Sequence, residues 1–125
     1  MFTDTRAFAS FAVDDLDAAR RFYGETLGLR TSTPIEGMLL ALETAGGVPT
    51  LVYLKSDFVP ATYTVFNFAV DDVEAAVDEL AARGVECERY EGFEQDEKGI
   101  ATGDGPPIAW FKDPAGNILS VVRPG

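Results

Sequence analysis

The sequence offers few side chains that can act as nucleophiles or proton carriers, and the missing types narrow the possible chemistry. There is no histidine among the 125 residues and only one cysteine, Cys87. Without histidine, the chain cannot form a Ser-His-Asp or Cys-His catalytic site, a histidine proton shuttle or a His-ligated metal site. A single cysteine excludes an internal disulfide and a cysteine-rich zinc site. Cys87 itself is expected to be an inert, small hydrophobic residue.

Carboxylates are the other candidates for chemistry. Asp14-Asp15 and Asp71-Asp72 each resemble a carboxylate dyad on paper, but each pair lies where a helix should begin. An aspartate at such a position caps free backbone N–H groups, and we expect Asp14 and Asp71 to be the N-caps. Glu43 is a weak catalytic candidate. Facing a cleft, it could act as a general base or hold a cation; otherwise it ends a strand in solvent.

The net charge of the chain limits the classes of partner that it can bind. Ten Lys and Arg residues against 21 Asp and Glu residues give a net charge of −11 and an isoelectric point of about 4.2. This charge repels nucleic-acid phosphates and anionic lipid surfaces, so we expect no nucleic-acid or membrane partner. It would attract a cationic ligand, although acidic surfaces also serve solubility alone. The absence of a secretion-signal pattern and of a membrane-length apolar run predicts a soluble cytoplasmic protein.

An internal repeat defines the elements that must position these side chains. Residues 8–19 read FASFAVDDLDAA and residues 65–76 read VFNFAVDDVEAA, so seven of twelve positions are identical. Each copy begins as a short run of β-forming residues and continues with the apolar spacing of an amphipathic helix. Gly28 and Gly84 are natural stops for the two helices. A duplicated structural unit is therefore the better interpretation.

Strand-like segments broken by turn residues follow each helix. They lie near residues 29–33, 38–43, 50–55, 85–90, 108–112 and 118–122. Each half is thus predicted to be a βαβββ unit. The first covers about residues 6–55 and the second about 63–123, with a linker at 56–62. Residues 92–107 are predicted to form a long loop, a class that is usually functional or mobile. Its acidic start, residues 91–97, is either a solvated rim or a lid that recruits a cation.

Alternation along the strands predicts the arrangement of the two units. One face of each first strand would lie under its helix, which leaves uncovered the face that carries Phe8, Ser10, Val65 and Asn67. The economical solution is an α+β fold, a single domain over residues 1–125, whose two βαβββ units form a curved mixed sheet around a central cleft. Clefts at the interface between repeats are common locations for small-molecule sites.

The tandem units and two motifs resemble a known superfamily. Val-Asp-Asp-Leu leads into Ala-Ala-Arg-Arg-Phe-Tyr within residues 13–23, and Phe-Lys-Asp-Pro-Ala-Gly-Asn occupies residues 111–117, where it predicts the final hairpin turn. From about Arg6 to Arg123 the chain resembles the vicinal oxygen chelate superfamily, also called the glyoxalase/bleomycin resistance protein/dioxygenase family. The resemblance implies this fold but does not choose among the chemistries that the scaffold supports.

The resemblance also implies where a metal would bind. Enzymes of this superfamily typically hold a divalent metal through residues on the first and last strands of each unit. The matching positions are Phe8, Tyr53, Val65 and Ser120. None of these side chains is a good ligand, since such metals prefer carboxylates, imidazoles or thiolates. We therefore expect no metal site and no cofactor.

The same positions predict a ligand cleft with an aromatic lining. The apolar side chains at these positions would either line the wall of the cleft or fill it as core. The serine and asparagine side chains would either orient a ligand or form hydrogen bonds within the sheet. Trp110, placed on the concave face by alternation, is either a stacking platform for a planar or cationic ligand or a structural filler. The predicted ligand-binding residues are Phe8, Ser10, Tyr53, Val65, Asn67, Trp110 and Ser120.

These observations favour a metal-independent small-molecule binding protein of the bleomycin-resistance type. It would sequester a hydrophobic or cationic compound, such as an antibiotic, by stacking and long-range attraction. The alternative is an enzyme of the superfamily, a lyase, an isomerase or a dioxygenase-like protein, that uses a cleft carboxylate or an unusual metal site. A third possibility is an interaction module with a filled concavity. The resemblance also implies a homodimer, because related proteins often complete the cleft between two chains.

Overall fold

A computed structural model describes residues 1–125, which form two compact units, Met1–Val59 and Pro60–Gly125. The boundary between them falls within the linker predicted at residues 56–62. Each unit is a mixed β-sheet with one helical segment on one side, so the predicted α+β class is confirmed. No helix in the chain has the length and apolar composition needed to cross a bilayer.

The first unit is a four-stranded sheet with one helical segment. Its elements are β1 (Ser10–Val13), α1 (Leu16–Arg20) continued by a π-helical segment (Arg21–Thr26), β2 (Arg30–Ile35), β3 (Leu39–Glu43) and β4 (Thr50–Leu54). The strand order is β1-β4-β3-β2, with β1 parallel to β4 and the other pairs antiparallel.

The core of the first unit lies between this sheet and the helical segment. Val13, Leu40 and Val52 are buried on the helix-facing side, and Tyr23 of the π-helical segment is completely buried. The Tyr23 ring packs 5.8 Å from the ring of Phe11, centroid to centroid. Each such buried side chain contributes roughly 1.5–3 kcal/mol relative to exposure. This packing leaves the opposite face of the sheet available for other contacts.

The second unit repeats this plan with one strand fewer. Its elements are β5 (Thr64–Ala69), α2 (Val73–Ala82), β6 (Ile108–Lys112) and β7 (Ile118–Val122). The strand order is β5-β7-β6, with β5 parallel to β7 and β6 antiparallel to it. The helix contacts β6 and β7, and its apolar side is buried along with Phe111 and Leu119 of those strands.

The prediction of a strand near residues 85–90 is wrong. This segment joins β6 through a hydrogen bond from the Glu88 amide to the Trp110 carbonyl, at 2.7 Å, but forms no ladder. The side chain of Gln95 takes the backbone groups that a ladder would use. It accepts from the Tyr90 amide at 2.9 Å and donates to the Glu88 carbonyl at 2.8 Å. The second unit therefore lacks the fourth strand of the βαβββ pattern.

The helix N-caps also differ from the prediction by one residue. Asp15, not Asp14, accepts from the Ala18 amide at 3.0 Å, and Asp72, not Asp71, accepts from the Ala75 amide at the same distance. Asp15 and Asp72 have extended backbones, as N-cap residues do, and so the first aspartate of each pair precedes the cap. The paired aspartates are thus helix-starting groups rather than a catalytic dyad.

The closing turn before β7 has the predicted form. Asp113 and Asn117 are buried, and Asp113 accepts hydrogen bonds from the backbone amides of Ala115 and Asn117 at 3.0 and 2.8 Å. Its second carboxylate oxygen accepts from the Asn117 side chain at 2.9 Å. Gly116 has a φ of +93°, a conformation that glycine adopts without strain. This network fixes the register in which β7 enters the sheet.

Candidate functional site

The first unit exposes the sheet face on which three of the predicted ligand-binding residues lie. Register places Ser10 of β1 beside Leu51 of β4, and Tyr53 two residues further along β4 shares their face. Phe8 precedes β1 with 63% of its surface exposed, and Tyr53 is 39% exposed. The structure therefore brings Phe8, Ser10 and Tyr53 to one accessible, largely apolar surface.

A shallow cavity of about 280 Å³ lies on this surface, lined by Arg6, Phe8, Pro49 and Leu51. Its walls are the edge of a phenyl ring, aliphatic side chains and one cation. A second cavity of about 310 Å³ lies between the start of α1 and the β2–β3 turn, and none of the predicted ligand-binding residues lines it. Of the two cavities, only the first belongs to the predicted site.

Glu43 lies at the end of β3, on the same face of the sheet as Tyr53 by alternation along β3 and β4. It is exposed, and the register places it directly opposite Arg30 of β2. Opposite charges at such cross-strand positions are favourable to the sheet. This environment is that of a solvated surface carboxylate, which gives no support to its role as a general base.

The second unit places three predicted residues in one row across its sheet. Asn67 of β5, Ser120 of β7 and Trp110 of β6 are neighbours in register. The Ser120 hydroxyl donates to the Asn67 side-chain oxygen, so these two polar groups are partners of each other. Ser120 is completely buried, whereas Asn67 is exposed. Val65 lies half-buried at an irregularity in the β5–β7 pairing.

Trp110 is in the predicted row, but other aromatic rings cover it. Only 8% of its surface is exposed, and it packs with Ala101 and Ile118 in a small buried cluster. The rings of Phe93 and Tyr90 lie 4.9 and 5.6 Å from the Trp110 ring, centroid to centroid. In this arrangement Trp110 fills the interior of the second unit, as the structural interpretation of this residue predicts.

The cover over Trp110 is formed by residues 88–101, which we call the strap. Side-chain hydrogen bonds hold its second half: Asp96 accepts from the Lys98 and Ile100 amides, both at 2.9 Å, and Gln95 donates to the Gly99 carbonyl at 2.8 Å. The Lys98 ammonium lies 2.9 Å from carboxylate oxygens of both Glu74 and Asp78 on α2. The second half of the acidic segment is therefore attached to the fold rather than being only a solvated rim.

The pKa of Lys98 is consistent with its ion pairs to α2. Hydrogen bonds to Asp78 and then to Glu74 raise the pKa of Lys98, so the ammonium stays charged at neutral pH.

Burial raises the pKa of the Cys87 thiol, and Glu88 adds to this effect. Because the thiolate is the reactive form, Cys87 is held in the unreactive state, in agreement with its predicted inertness.

Tyr90 and Phe93 are the site residues that sequence reasoning missed. They flank Gly92 within a segment interpreted mainly by its acidic residues. The available signal was the presence of two aromatic side chains in a predicted solvent loop, since large aromatic residues in such a loop usually have a packing partner.

The side chains at the implied metal positions do not fit a metal. Phe8 and Val65 carry no donor atom, Tyr53 offers only a phenol oxygen, and Ser120 offers only a hydroxyl that is already hydrogen-bonded to Asn67. No group of three or more cysteine, aspartate or glutamate side chains in the chain is arranged to hold a metal ion. The four implied positions therefore do not supply the carboxylate or imidazole donors that such a metal prefers.

Comparison with known proteins identifies the family. The sequence profile of the Glyoxalase/Bleomycin resistance protein/Dioxygenase superfamily matches residues 6–121, and the chain belongs to this superfamily. No curated protein matches the chain in sequence.

Solved structures of this superfamily share the fold. The antibiotic binding protein TnmS3 from Streptomyces sp. CB03234 is 25% identical, with a TM-score of 0.66 over 96% of this chain and 97% of that one. A glyoxalase/bleomycin resistance protein from the same organism is 26% identical, with a TM-score of 0.63 over 95% and 100%. Lactoylglutathione lyase from Agrobacterium tumefaciens is 22% identical, with a TM-score of 0.68 over 95% and 92%, a likeness of fold alone.

Proposed function

We propose that this protein is a metal-independent small-molecule binding protein that sequesters a hydrophobic or cationic compound in an aromatic-lined cleft. The observation that carries the proposal is the replacement of the superfamily's metal ligands by Phe8, Tyr53, Val65 and Ser120. Phenyl, phenol and aliphatic groups bind organic surfaces by burial and stacking, and they offer a metal little or nothing. Sequestration then needs no bond-breaking step.

The distribution of polar groups supports binding rather than catalysis. Small-molecule sites typically combine apolar walls with a few placed polar groups. In the first unit Phe8 and Tyr53 supply exposed aromatic surface and Ser10 is an exposed polar group, while in the second unit Asn67 is the exposed polar group among the predicted residues. Glu43 is solvated opposite Arg30, so no buried carboxylate is available in the predicted set to act as a base.

The charge of the chain and one relative support the class of ligand. A net charge of −11 raises the local concentration of cations around the protein. The structure of an antibiotic binding protein, at 25% identity, covers nearly the whole chain. We therefore propose an aromatic, cationic natural product such as an antibiotic as the ligand, bound in the cytoplasm.

The same surface supports a homodimer. Phe8 and Tyr53 expose large apolar area on the first unit, and surfaces of this kind commonly mark sites of interaction. A second copy of the chain would cover such a face and complete a cleft. Sedimentation velocity should then give twice the 13.5 kDa chain mass. A species of 13.5 kDa at micromolar concentration would contradict the dimer without contradicting ligand binding.

A thermal-shift screen tests the proposed function. The panel would contain planar aromatic cations, planar aromatic anions of matched size, and flexible aliphatic cations. A ligand at one hundred times its Kd stabilises the folded state by about 2.7 kcal/mol, which raises the melting temperature of a domain of this size by roughly 5–10 °C. Planar cations should produce this shift. Absence of any shift across the panel would contradict the proposal.

A metal titration is the matching control. Protein treated with a chelator and dialysed should keep its melting temperature when stoichiometric Zn²⁺, Ni²⁺ or Mn²⁺ is added. Stabilisation by one equivalent of any of these ions would instead favour an enzyme with an unusual metal site.

A further inference from the structure

The second unit contains a cluster of aromatic rings around Trp110 whose outermost ring is poorly buried. Trp110 is the only tryptophan of the chain and is 8% exposed, while Phe93, whose ring lies 4.9 Å from it, is 56% exposed. Phe93 thus covers the tryptophan from solvent but gains little burial itself. The two ring planes are inclined by 58°, so Phe93 is held mainly by one tilted ring contact rather than by parallel stacking or by a surrounding core.

The part of the strap that carries Phe93 is the part with the fewest attachments. The strap's side-chain hydrogen bonds are made by Arg89, Gln95, Asp96 and Lys98, on either side of residues 91–94. Gly92 has a φ of +89°, and a methyl group placed on it would meet no atom within 4 Å. Hydrogen bonds hold the chain on both sides of this turn, and Gly92 is not crowded. The turn can therefore move Phe93 away from Trp110 without breaking those hydrogen bonds.

Phe93 is also flanked by negative charge. Glu91 and Glu94 are exposed on the same turn, while the Glu88 carboxylate before it lies 3.5 Å from the Lys112 ammonium. Any molecule that replaces the Phe93 ring on Trp110 would lie among these carboxylates. A cation would be attracted there and an anion repelled, and an aromatic face is itself favourable to a cation.

The Tyr90 hydroxyl is a further group suited to a ligand. It is buried beside the Trp110 cluster and makes no hydrogen bond. A buried polar atom without a partner is unfavourable in the free protein, so a ligand that supplies a donor or acceptor gains from pairing with it.

We propose that Phe93 covers, in the free protein, a side of Trp110 on which a ligand can stack and that a planar aromatic cation displaces it. This inference rests on the proposed small-molecule binding function and adds a requirement for a planar ring system and a specificity-determining residue. A ligand must stack on the indole better than the phenyl ring that it replaces. Small or non-planar cations fail this requirement, so Phe93 selects for extended planar rings.

Competition from Phe93 lowers the apparent affinity for a ligand. The measured Kd equals the intrinsic Kd divided by the fraction of molecules in which Trp110 is open. Replacing Phe93 by alanine removes the competitor and should tighten binding about twofold to twelvefold, the range expected for loss of one aromatic pair.

Proflavine, a planar tricyclic cation, is the probe for this test, with anthracene-9-carboxylate as the anionic control of matched size. Fluorescence titration follows the emission of Trp110, which reports on this site alone because the chain has no second tryptophan. The variants are Phe93→Ala and the matched control Phe2→Ala, an exposed phenylalanine in the first unit. Phe93→Ala should bind proflavine about twofold to twelvefold more tightly than wild type. Phe2→Ala should bind like wild type, and the anion should bind weakly to all three.

Acrylamide quenching of the ligand-free proteins gives a second readout. Because acrylamide is neutral, the charge of the protein does not bias its access. Quenching of Trp110 should be weak in wild type and Phe2→Ala and clearly stronger in Phe93→Ala. Full quenching in wild type would mean that Phe93 does not cover Trp110 in solution, and it would overturn the inference.

The remaining outcomes separate the two proposals. If wild type binds proflavine and Phe93→Ala binds it equally or more weakly, the displacement is wrong and the proposed function stands. If neither binds proflavine or any compound of the thermal-shift panel, both are wrong. Should Phe93→Ala melt at a much lower temperature, Phe93→Leu, which keeps an apolar cover without a ring, replaces it and should bind proflavine more tightly than wild type.

Discussion

Tyr90 places a hydroxyl in the interior of the second unit without a hydrogen-bond partner. Leaving a buried polar group unpaired costs about 1–3 kcal/mol. Phenylalanine keeps the ring that packs on Trp110 and removes only this group. We therefore expect Tyr90→Phe to raise the free energy of unfolding by about 1 kcal/mol at pH 7, measured by urea denaturation. A variant less stable than wild type would show that the hydroxyl is satisfied in solution.

The pH dependence of this substitution has a defined sign. Burial, with a smaller effect of Glu88, raises the pKa of Tyr90 above its ordinary value of 10.0. The stability contributed by the neutral phenol is complete below about pH 10 and is lost as the pH rises through the folded-state pKa. Phenylalanine has no such loss, so the advantage of Tyr90→Phe should be larger at about pH 10.5 than at pH 7. An equal advantage at both pH values would contradict burial as the cause of the raised pKa.

Two glycines of the strap allow backbone strain to be separated from crowding. Gly92 and Gly99 both have a φ of +89°. A Cβ on Gly99 would lie 2.9 Å from the Cβ of Cys87, whereas one on Gly92 would meet nothing within 4 Å. We expect Gly92→Ala to cost about 1–2 kcal/mol from the left-handed backbone alone, and Gly99→Ala to cost more, in urea denaturation. Equal costs would mean that Cys87 moves aside freely.

For individual residues, the sequence predicts which side chains share a face of the sheet but not which residues pack over them. Alternation alone puts Asn67, Ser120 and Trp110 on one face, and the register confirms this row. The cover of Trp110 could not be predicted, because the path of the strap is set by contacts between residues far apart in sequence. The bonds from Lys98 to Glu74 and Asp78 are examples, since no local pattern indicates them.

The helices carry a prediction that distinguishes adjacent aspartates. Asp72 caps α2 by accepting from the Ala75 amide, and Asp71 precedes the cap. Asp72→Ala should therefore lower the free energy of unfolding by about 1 kcal/mol, while Asp71→Ala, the same change one residue earlier, should have an effect within about 0.5 kcal/mol. Urea denaturation of the two variants measures the difference. A larger loss for Asp71→Ala would contradict the cap assignment.

Among the elements, strands bounded by strong turn signals were predictable, and the one strand without such support was not. β6 and β7 occur at the predicted residues 108–112 and 118–122, on either side of the Asp113–Asn117 turn. The segment at 85–90 has strand-forming residues, yet Gln95 binds its backbone groups and prevents a ladder. The helix starts were shifted by one residue because both aspartates of each pair satisfy the composition rule, and only geometry chooses between them.

The internal repeat explains why the two units share one strand arrangement. Both units have a parallel pair formed by their first and last strands, β1 with β4 and β5 with β7, as expected from duplication of one ancestral pattern. The second unit has replaced its fourth strand by the strap, which covers Trp110. The first unit has no such cover, and its sheet face carries exposed Phe8 and Tyr53. Duplication therefore preserved the sheet plan, while the two faces diverged in exposure.

The net charge of the whole chain leads to a last prediction. With 21 acidic and 10 basic residues, repulsion among carboxylates opposes folding, and the five ion pairs present involve side chains that are largely exposed or half-exposed. Such pairs contribute little to stability.

Raising the salt concentration from about 0.01 to about 0.15 M shortens the Debye length from about 30 to about 8 Å and screens the repulsion more than it weakens these pairs. The melting temperature at pH 7 should rise by about 3 °C, roughly the effect of 1 kcal/mol. The matched control is the same salt series near pH 4.2, where the net charge is close to zero and the rise should disappear. A melting temperature that falls with salt at pH 7 would mean that the ion pairs, including those of Lys98, outweigh the repulsion.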